Sequence, residues 1–286
     1  MSKTLRNTLL LGTLAVGAGL SLASCGNESN ENTLVIGLEC NYAPFNWTAS
    51  ASSDYTLAIS NDGSNYADGY DIQFAKRAAK ELNMDVKIVK MEWDNLIPQL
   101  NAGTINCIIA GMTDTAERRE SIDFTNEYYR SELVLITSKT IADQYASNTL
   151  DATSLTSLLS GQGVISQIQT VTNSVIDTLA TTTGCVHMKA VNTFTDAANQ
   201  VSYHAAFAMT AEYPVAQSIV KANSDLGIVR IDQSILGEEN LAELGVSIGI
   251  RKGDTDLQSK LNSVLANYTQ EQRNADMSAA VERSGE

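Results

Sequence analysis

A chain of 286 residues exceeds the usual size of a single hydrophobic core, so two lobes are expected. Its 33 Asp and Glu against 19 Lys and Arg leave a net charge of −14 with no basic stripe, which argues against nucleic acid and anionic membrane surfaces as partners. Cys and His show no metal-ligand spacing, and no metal or cofactor is expected.

The N-terminus predicts export. Lys3 and Arg6 precede an apolar run from Leu9 to Leu20, and Leu22-Ala23-Ser24-Cys25 follows. This is the pattern of a signal peptide over residues 1–24 that ends in a lipoprotein cleavage box, and the apolar run is shorter than the ~20 residues of a membrane span. Cys25 is then the lipid-bearing, palmitate-type anchor of a protein held at the cell membrane and facing the periplasm or cell exterior, with residues 25–32 as anchor and polar tether. Removal of Lys3 and Arg6 leaves 17 basic against 33 acidic residues, a mature charge of −16. Of the remaining cysteines, Cys107 reads as a buried small hydrophobe, and an odd number leaves at least one thiol unpaired; a Cys40–Cys107 bridge stays open.

Thr33 to Leu38, TLVIGL, reads as the first strand, with residues 39–45 as the loop at its carboxyl end. Residues 48–68 are rich in Ser, Ala, Asn and Asp around an Asp62-Gly63 turn and read as a hairpin over one lobe. The spacing of Ile72, Ala75, Ala79 and Leu82 predicts an amphipathic helix over 70–82, and a strand over 86–89 leads to Trp93. Leu96, Ile97 and Leu100 recur at helical spacing after Asp94 as N-cap, and Asn101-Ala102-Gly103 supplies a stop. Residues 105–110 form an apolar run bounded by Gly103 and Gly111, as in a buried strand of a parallel sheet.

The loop from Met112 to Arg118 therefore lies at the carboxyl end of a strand, where open α/β sheets hold their ligands. Gly111 admits close approach to the backbone, Thr113 offers a hydroxyl, and Arg118 offers a planar fork of donors at a helix start. Together they describe a socket for a small carboxylate. The same residues also suit a packed turn with a surface ion pair at Arg118.

The run from Trp93 to Tyr129, WDNLIPQLNAGTINCIIAGMTDTAERRESIDFTNEYY, resembles the signature region of bacterial solute-binding protein family 3, the polar amino-acid-binding proteins of ABC importers. Gly69 to Lys76 is similar to the family's GYD-hydrophobic-acidic-hydrophobic-AK pattern, with Gln73 where an acid is usual, and Asn41 to Phe45 is similar to its YAPF turn. The resemblance implies a two-lobed, periplasmic-binding-protein-like α/β fold of type II. Lobe 1 comprises residues 33–129 with 246–286 and lobe 2 residues 130–245, joined by a hinge of two crossing segments near Tyr128–Glu132 and Leu244–Val246.

It also implies capture of an L-amino acid, polar or cationic in its side chain, by a monomer that delivers it to an ABC permease. Tyr42 and Trp93 are then aromatic faces on opposite sides of the ligand and Glu39 an acidic rim. Ala110, Gly111, Thr113 and Arg118 form the carboxylate loop. Gln167-Ile168-Gln169-Thr170 stands where the family has Gln-x-Gly-Thr, so a glycine is missing while Thr170 keeps its hydroxyl and N–H at a helix start. Glu212, before Tyr213-Pro214, is the candidate partner of the ligand's ammonium, although a solvated Glu at a helix start has the same pattern.

The second lobe reads as strands over 133–137, 163–166, 186–190, 205–209 and 228–231, with helices within 141–159, after Thr170 and over 195–201. A strand over 246–251, a helix over 257–268 and a last helix through Ala280 close the first lobe. The rival function is an enzyme on the same scaffold, since a few relatives of the family are dehydratases of cyclohexadienyl type. That chemistry needs a general acid or base in the cleft, and His187, mid-strand, and His204, at a strand's start, fall outside it.

Overall fold

The computed structural model describes residues 32–284; the expected signal peptide, and Cys25 with its lipid, lie outside the described residues. Two sheets carry the fold. The first, in spatial order, is Asp85–Lys90, Thr33–Leu38, Cys107–Ile108, Gly245–Ile250 and Asp123–Arg130. Thr33–Leu38 runs parallel to both of its neighbours, and Gly245–Ile250 is antiparallel to both of its own. The second sheet is ordered Thr149–Leu150, Leu226–Ile231, Leu133–Ser138, Ala208–Glu212, Gly163–Ile165 and Val186–His187. The chain leaves the first sheet at Arg130 and enters the second at Leu133. It returns after Ala242 to start the Gly245–Ile250 strand, so two short segments join the lobes.

Burial explains why these stretches become central strands. All six residues of Gly245–Ile250 are buried, and five of the six in Leu133–Ser138, because helices cover both faces of each sheet. Alternation then splits the side chains between two cores. Val134 and Ile136 pack with the larger cluster, which extends into the first lobe, while Leu133 and Leu135 pack under the Val171–Thr183 helix with Val175, Ile176 and Leu179. Helix starts are fixed by side-chain caps. Thr115, Thr170 and Thr193 each accept the N–H three residues on, a contact that stabilises a helix end by about 1 kcal/mol.

Several expectations are corrected. Of residues 105–110, Cys107–Ile108 alone pair as strand: Asn106 exchanges bonds with Val35 through its side chain as well as its backbone, at 2.8 and 2.7 Å, and Gly111 turns the chain at φ 60°. The strand read at 205–209 lies at Ala208–Glu212, since residues 203–206 complete a turn in which His204 takes φ 59°; His204 is in no strand. The strand read over 186–190 stops at His187, whose ring bonds Asp177 and Asn173 of the neighbouring helix at 2.7 and 3.0 Å. Asp94 sits inside a single 3₁₀ turn, Trp93–Asn95, and caps nothing. The Tyr70–Leu82 helix buries Phe74 and Ala78 beside Ile72 and Ala75, so its apolar face is rotated from Ala79.

Residues 48–68 are more than a hairpin. They join Asn41–Tyr42 in a four-stranded antiparallel sheet whose further strands are Asn46–Ala49, Leu57–Ala58 and Tyr66–Asp68. Ser60 fastens it to the first lobe through the carbonyl of Ile88, at 2.6 Å. Arg283 of the last helix pairs with Asp68 at 2.9 Å and lies over the rings of Tyr55 and Trp47. Cys40, Cys107 and Cys185 are buried free thiols, so the Cys40–Cys107 bridge does not form. Among the described residues no helix is long and apolar enough to cross a membrane.

Candidate functional site

Five strand ends converge between the two sheets. From the first lobe, the loop after Thr33–Leu38 brings Glu39 and Tyr42, the segment after Asp85–Lys90 brings Trp93, and the loop after Cys107–Ile108 brings Gly111, Thr113 and Arg118. From the second, the Gly163–Ile165 strand leads to Gln167 and Thr170, and Ala208–Glu212 ends on Glu212 itself. Glu39, Tyr42, Trp93, Gly111, Thr113, Arg118, Thr170 and Glu212 all border one cavity. Ala110 does not: its side chain is buried in the core of the first lobe, and the turn at Gly111 begins after it.

Arg118 is held in place from three directions. Its Nη1 donates to the carbonyl and hydroxyl oxygens of Thr113 at 2.7 and 2.6 Å, and its Nη2 donates to the Gln169 carbonyl at 2.8 Å. The guanidinium carbon lies 5.3 Å from the centre of the Trp93 ring, a cation–π contact. Trp93 Nε1 donates to the same Gln169 carbonyl at 3.3 Å, so one backbone oxygen of the second lobe receives two donors of the first. Gln169 reaches this position at φ 59°, the left-handed region that a glycine adopts freely. Thr170 uses its hydroxyl locally, donating to the Gln167 carbonyl at 2.7 Å and accepting from Asn173 N at 3.2 Å.

Tyr42 is stacked between Phe45, at 5.2 Å, and Phe194 of the second lobe, at 4.8 Å, and its hydroxyl donates to Glu212 at 2.6 Å. Glu39 accepts from Gln167 Nε2 across the lobes at 3.2 Å. Sequence reasoning assigned no role to Gln167 or Phe194. Gln167 lay inside the motif that pointed to Thr170, whereas nothing local marked Phe194.

Burial opposes the charge of each ionisable group in this cavity. It pushes the Glu39 carboxyl up to about 7, with the Gln167 hydrogen bond opposing and Glu92 and Asp94 adding. It raises Glu212 as well, against the Tyr42 hydrogen bond and the Arg118 charge. It lowers the Arg118 guanidinium to about 10, with Glu117, Glu243 and Glu212 opposing. One guanidinium and two carboxyls, each with its charged form disfavoured by burial, therefore share one enclosed space. The free volume there is about 10 Å³, room for roughly one water. A groove of about 550 Å³ adjoins it, sharing Trp93, Arg118, Thr170 and Val171 with it. An organic ligand does not fit in the smaller space as it stands.

Known proteins resemble the chain in sequence and in fold. The chain is 24% identical over 243 residues to the arginine-binding extracellular protein ArtP of Bacillus subtilis (strain 168), covering 85% of this chain and 83% of that one. It is 33% identical over 127 residues to the L-arginine-binding protein of Pseudomonas aeruginosa, with 44% and 42% of the two chains aligned. In fold it is similar to the amino acid ABC transporter substrate-binding protein AbpA from Streptococcus pneumoniae Canada MDR_19A bound to L-arginine, with a TM-score of 0.71, 21% identity, and 90% and 98% of the two chains covered. Residues 34–280 match the profile of the bacterial extracellular solute-binding proteins, family 3, and the chain belongs to that family.

Proposed function

We propose that this protein is an extracytoplasmic lipoprotein, anchored through Cys25 after removal of residues 1–24, that captures a cationic L-amino acid between its lobes and hands it as a monomer to an ABC permease. The observation that carries the reading is the charge set of the cavity, Arg118 against Glu39 and Glu212. An amino acid such as arginine has one carboxylate and two cationic groups, the complement of that set. Arg118 with Thr113 receives the carboxylate, Glu212 the α-ammonium, and Glu39 the side-chain cation, with Tyr42 and Trp93 against the aliphatic stem. To receive the carboxylate, Arg118 Nη2 exchanges the Gln169 carbonyl for a charged acceptor, a stronger partner. Closure over the ligand is then a difference in affinity that a permease can read.

The test is calorimetric titration of the chain from residue 26 onward with arginine, lysine, histidine, glutamine and cystine, with the ligand recovered afterwards. Arginine is expected to bind and return unchanged. Arg118→Ala removes the charge-assisted bonds to the carboxylate and is expected to weaken binding by about 3–5 kcal/mol, roughly a hundredfold or more, with an unchanged circular dichroism spectrum. Conversion of a bound compound would favour the dehydratase reading instead, because Glu39, with its carboxyl near 7, has the proton affinity of a general acid. Absence of binding by every amino acid tried would remove the transport reading. Cys25→Ser is expected to move the protein from the membrane fraction to the soluble one.

A further inference from the structure

Beneath the cavity, at the start of the Tyr70–Leu82 helix, the carboxylate of Asp71 is completely enclosed. Gly69 makes this possible: at φ 135° it presses the helix start against Phe45, whose carbonyl oxygen would lie 2.1 Å from any Cβ at that position. Among the described residues Asp71 has no basic partner, and its two side-chain donors are Asn46 Nδ2 at 2.8 Å and the Tyr128 hydroxyl at 2.6 Å.

Each of those donors continues to a backbone N–H in a different loop of the cavity. Asn46 Oδ1 accepts from the amide of Cys40 at 2.8 Å, next to Glu39 and two residues before Tyr42. The Tyr128 hydroxyl accepts from the amide of Gly111 at 3.0 Å, two residues before Thr113. Both loops turn at these amides, Cys40 at φ 54° and Gly111 at φ 60°. Cys40 is not a glycine, so its left-handed turn persists because the surroundings enforce it.

We propose that Asp71 is a positioning residue for ligand binding: through Asn46 and Tyr128 it fixes the amides of Cys40 and Gly111, and with them the spacing between the Glu39–Tyr42 arm and the Thr113–Arg118 arm of the site. The polarity of the network is directional. The carboxylate must accept twice, so that Asn46 presents its oxygen to Cys40 and Tyr128 presents its lone pair to Gly111. An apolar side chain would spare the fold the desolvation of a carboxyl that burial pushes up to about 7, but it would leave both donors free to turn. The ligand identity rests on the function proposed above, while the positioning role does not.

A swap experiment separates positioning from general disruption. Asp71→Asn sets an amide donor against the Asn46 amide donor, and Asn46→Asp sets two carboxyls against each other. The double swap Asn46→Asp/Asp71→Asn restores one donor and one acceptor while keeping an acceptor for Cys40 N and another for Tyr128. Each single variant is expected to weaken arginine binding about 10- to 100-fold, and the double to return to within about threefold of the unaltered protein. Amide hydrogen exchange provides a readout that needs no ligand: Cys40 and Gly111 are expected to exchange about tenfold faster or more in Asp71→Asn and to regain protection in the double swap.

Tyr128→Phe serves where a swap variant does not fold. It should loosen Gly111 and leave Cys40 protected. Unchanged protection of both amides in the single variants, or a double swap no better than either single, overturns the positioning role. If the unaltered protein binds no amino acid while the exchange pattern follows the swap, the ligand assignment fails and the positioning role stands.

Discussion

Glu39 turns the charge complementarity of the cavity into a pH profile. A cationic side chain beside it selects the ionised carboxylate. With the carboxyl at about 7, arginine meets an already charged partner above that pH and must expel a proton below it, losing up to about tenfold in affinity per pH unit. Between about pH 8 and about pH 5.5 this amounts to a roughly 30-fold weakening, about 2 kcal/mol, from Glu39 alone. In the proposed pose Glu212, also raised, contributes to the profile of any amino acid through its ammonium. Glutamine therefore serves as the calibrant, since it shares the ammonium and lacks the side-chain cation. The ratio of arginine to glutamine affinity is expected to fall about 30-fold over that range, and Glu39→Gln should flatten it while keeping the Gln167 contact. Calorimetry in two buffers of different protonation enthalpy counts the proton directly. A ratio independent of pH in the unaltered chain, or an equal slope in Glu39→Gln, would refute the argument. Fold stability without amino acid has the opposite sign: a carboxyl raised from 4.5 to about 7 contributes stability that is full below the unfolded value and is lost as pH rises through 7.

Gly111→Ala places a Cβ 2.8 Å from Tyr42 Cε1 and 3.0 Å from Phe45 Cγ at φ 60°, so urea denaturation should show a loss of about 2–3 kcal/mol together with loss of ligand binding. Gln169→Gly removes a left-handed side chain while keeping the carbonyl that Arg118 uses, and is expected to gain up to about 1 kcal/mol, or a melting temperature higher by about 2–4 °C. Burial pushes Cys40 up to about 12, Cys107 further still, and raises Cys185. The chain from residue 26 onward, which carries these three of the four cysteines, should therefore leave a disulfide reagent unconsumed at neutral pH and titrate three thiols once unfolded, and rapid native reaction at any of them would contradict their burial.

What the sequence revealed about the site follows the range of the interactions. Thr113 and Arg118 were legible because they bond within one loop, where spacing along the chain is spacing in space, and Gly111 stands at the start of that loop. Glu212 was placed at the cavity even though its strand was read three residues early. The apolar run at 205–209 looks continuous, but the register of Ala208–Glu212 is set by pairing with Leu133–Ser138, and the residues before it are spent on the His204 turn. Phe194 meets Tyr42, and Gln167 meets Glu39, across the lobes; the Gln167–Thr170 motif marked the position of Gln167 but not its partner, and no local pattern marked Phe194. Ala110 shows the reverse case: it adjoins the cavity loop in sequence, but the turn starts one residue later and leaves its methyl group in the core.

The two tryptophans give the molecule an optical gauge of its own. Trp93 is pinned by a carbonyl from the opposite lobe and faces a guanidinium, so any parting of the lobes changes the polarity and quenching around its indole. Trp47 lies in the four-stranded sheet beneath Arg283 and borders a second groove with Phe194 and Val215, so its own emission would mix into the signal. With Trp47 replaced by Phe, intrinsic emission alone would time each swing, without a dye or a label.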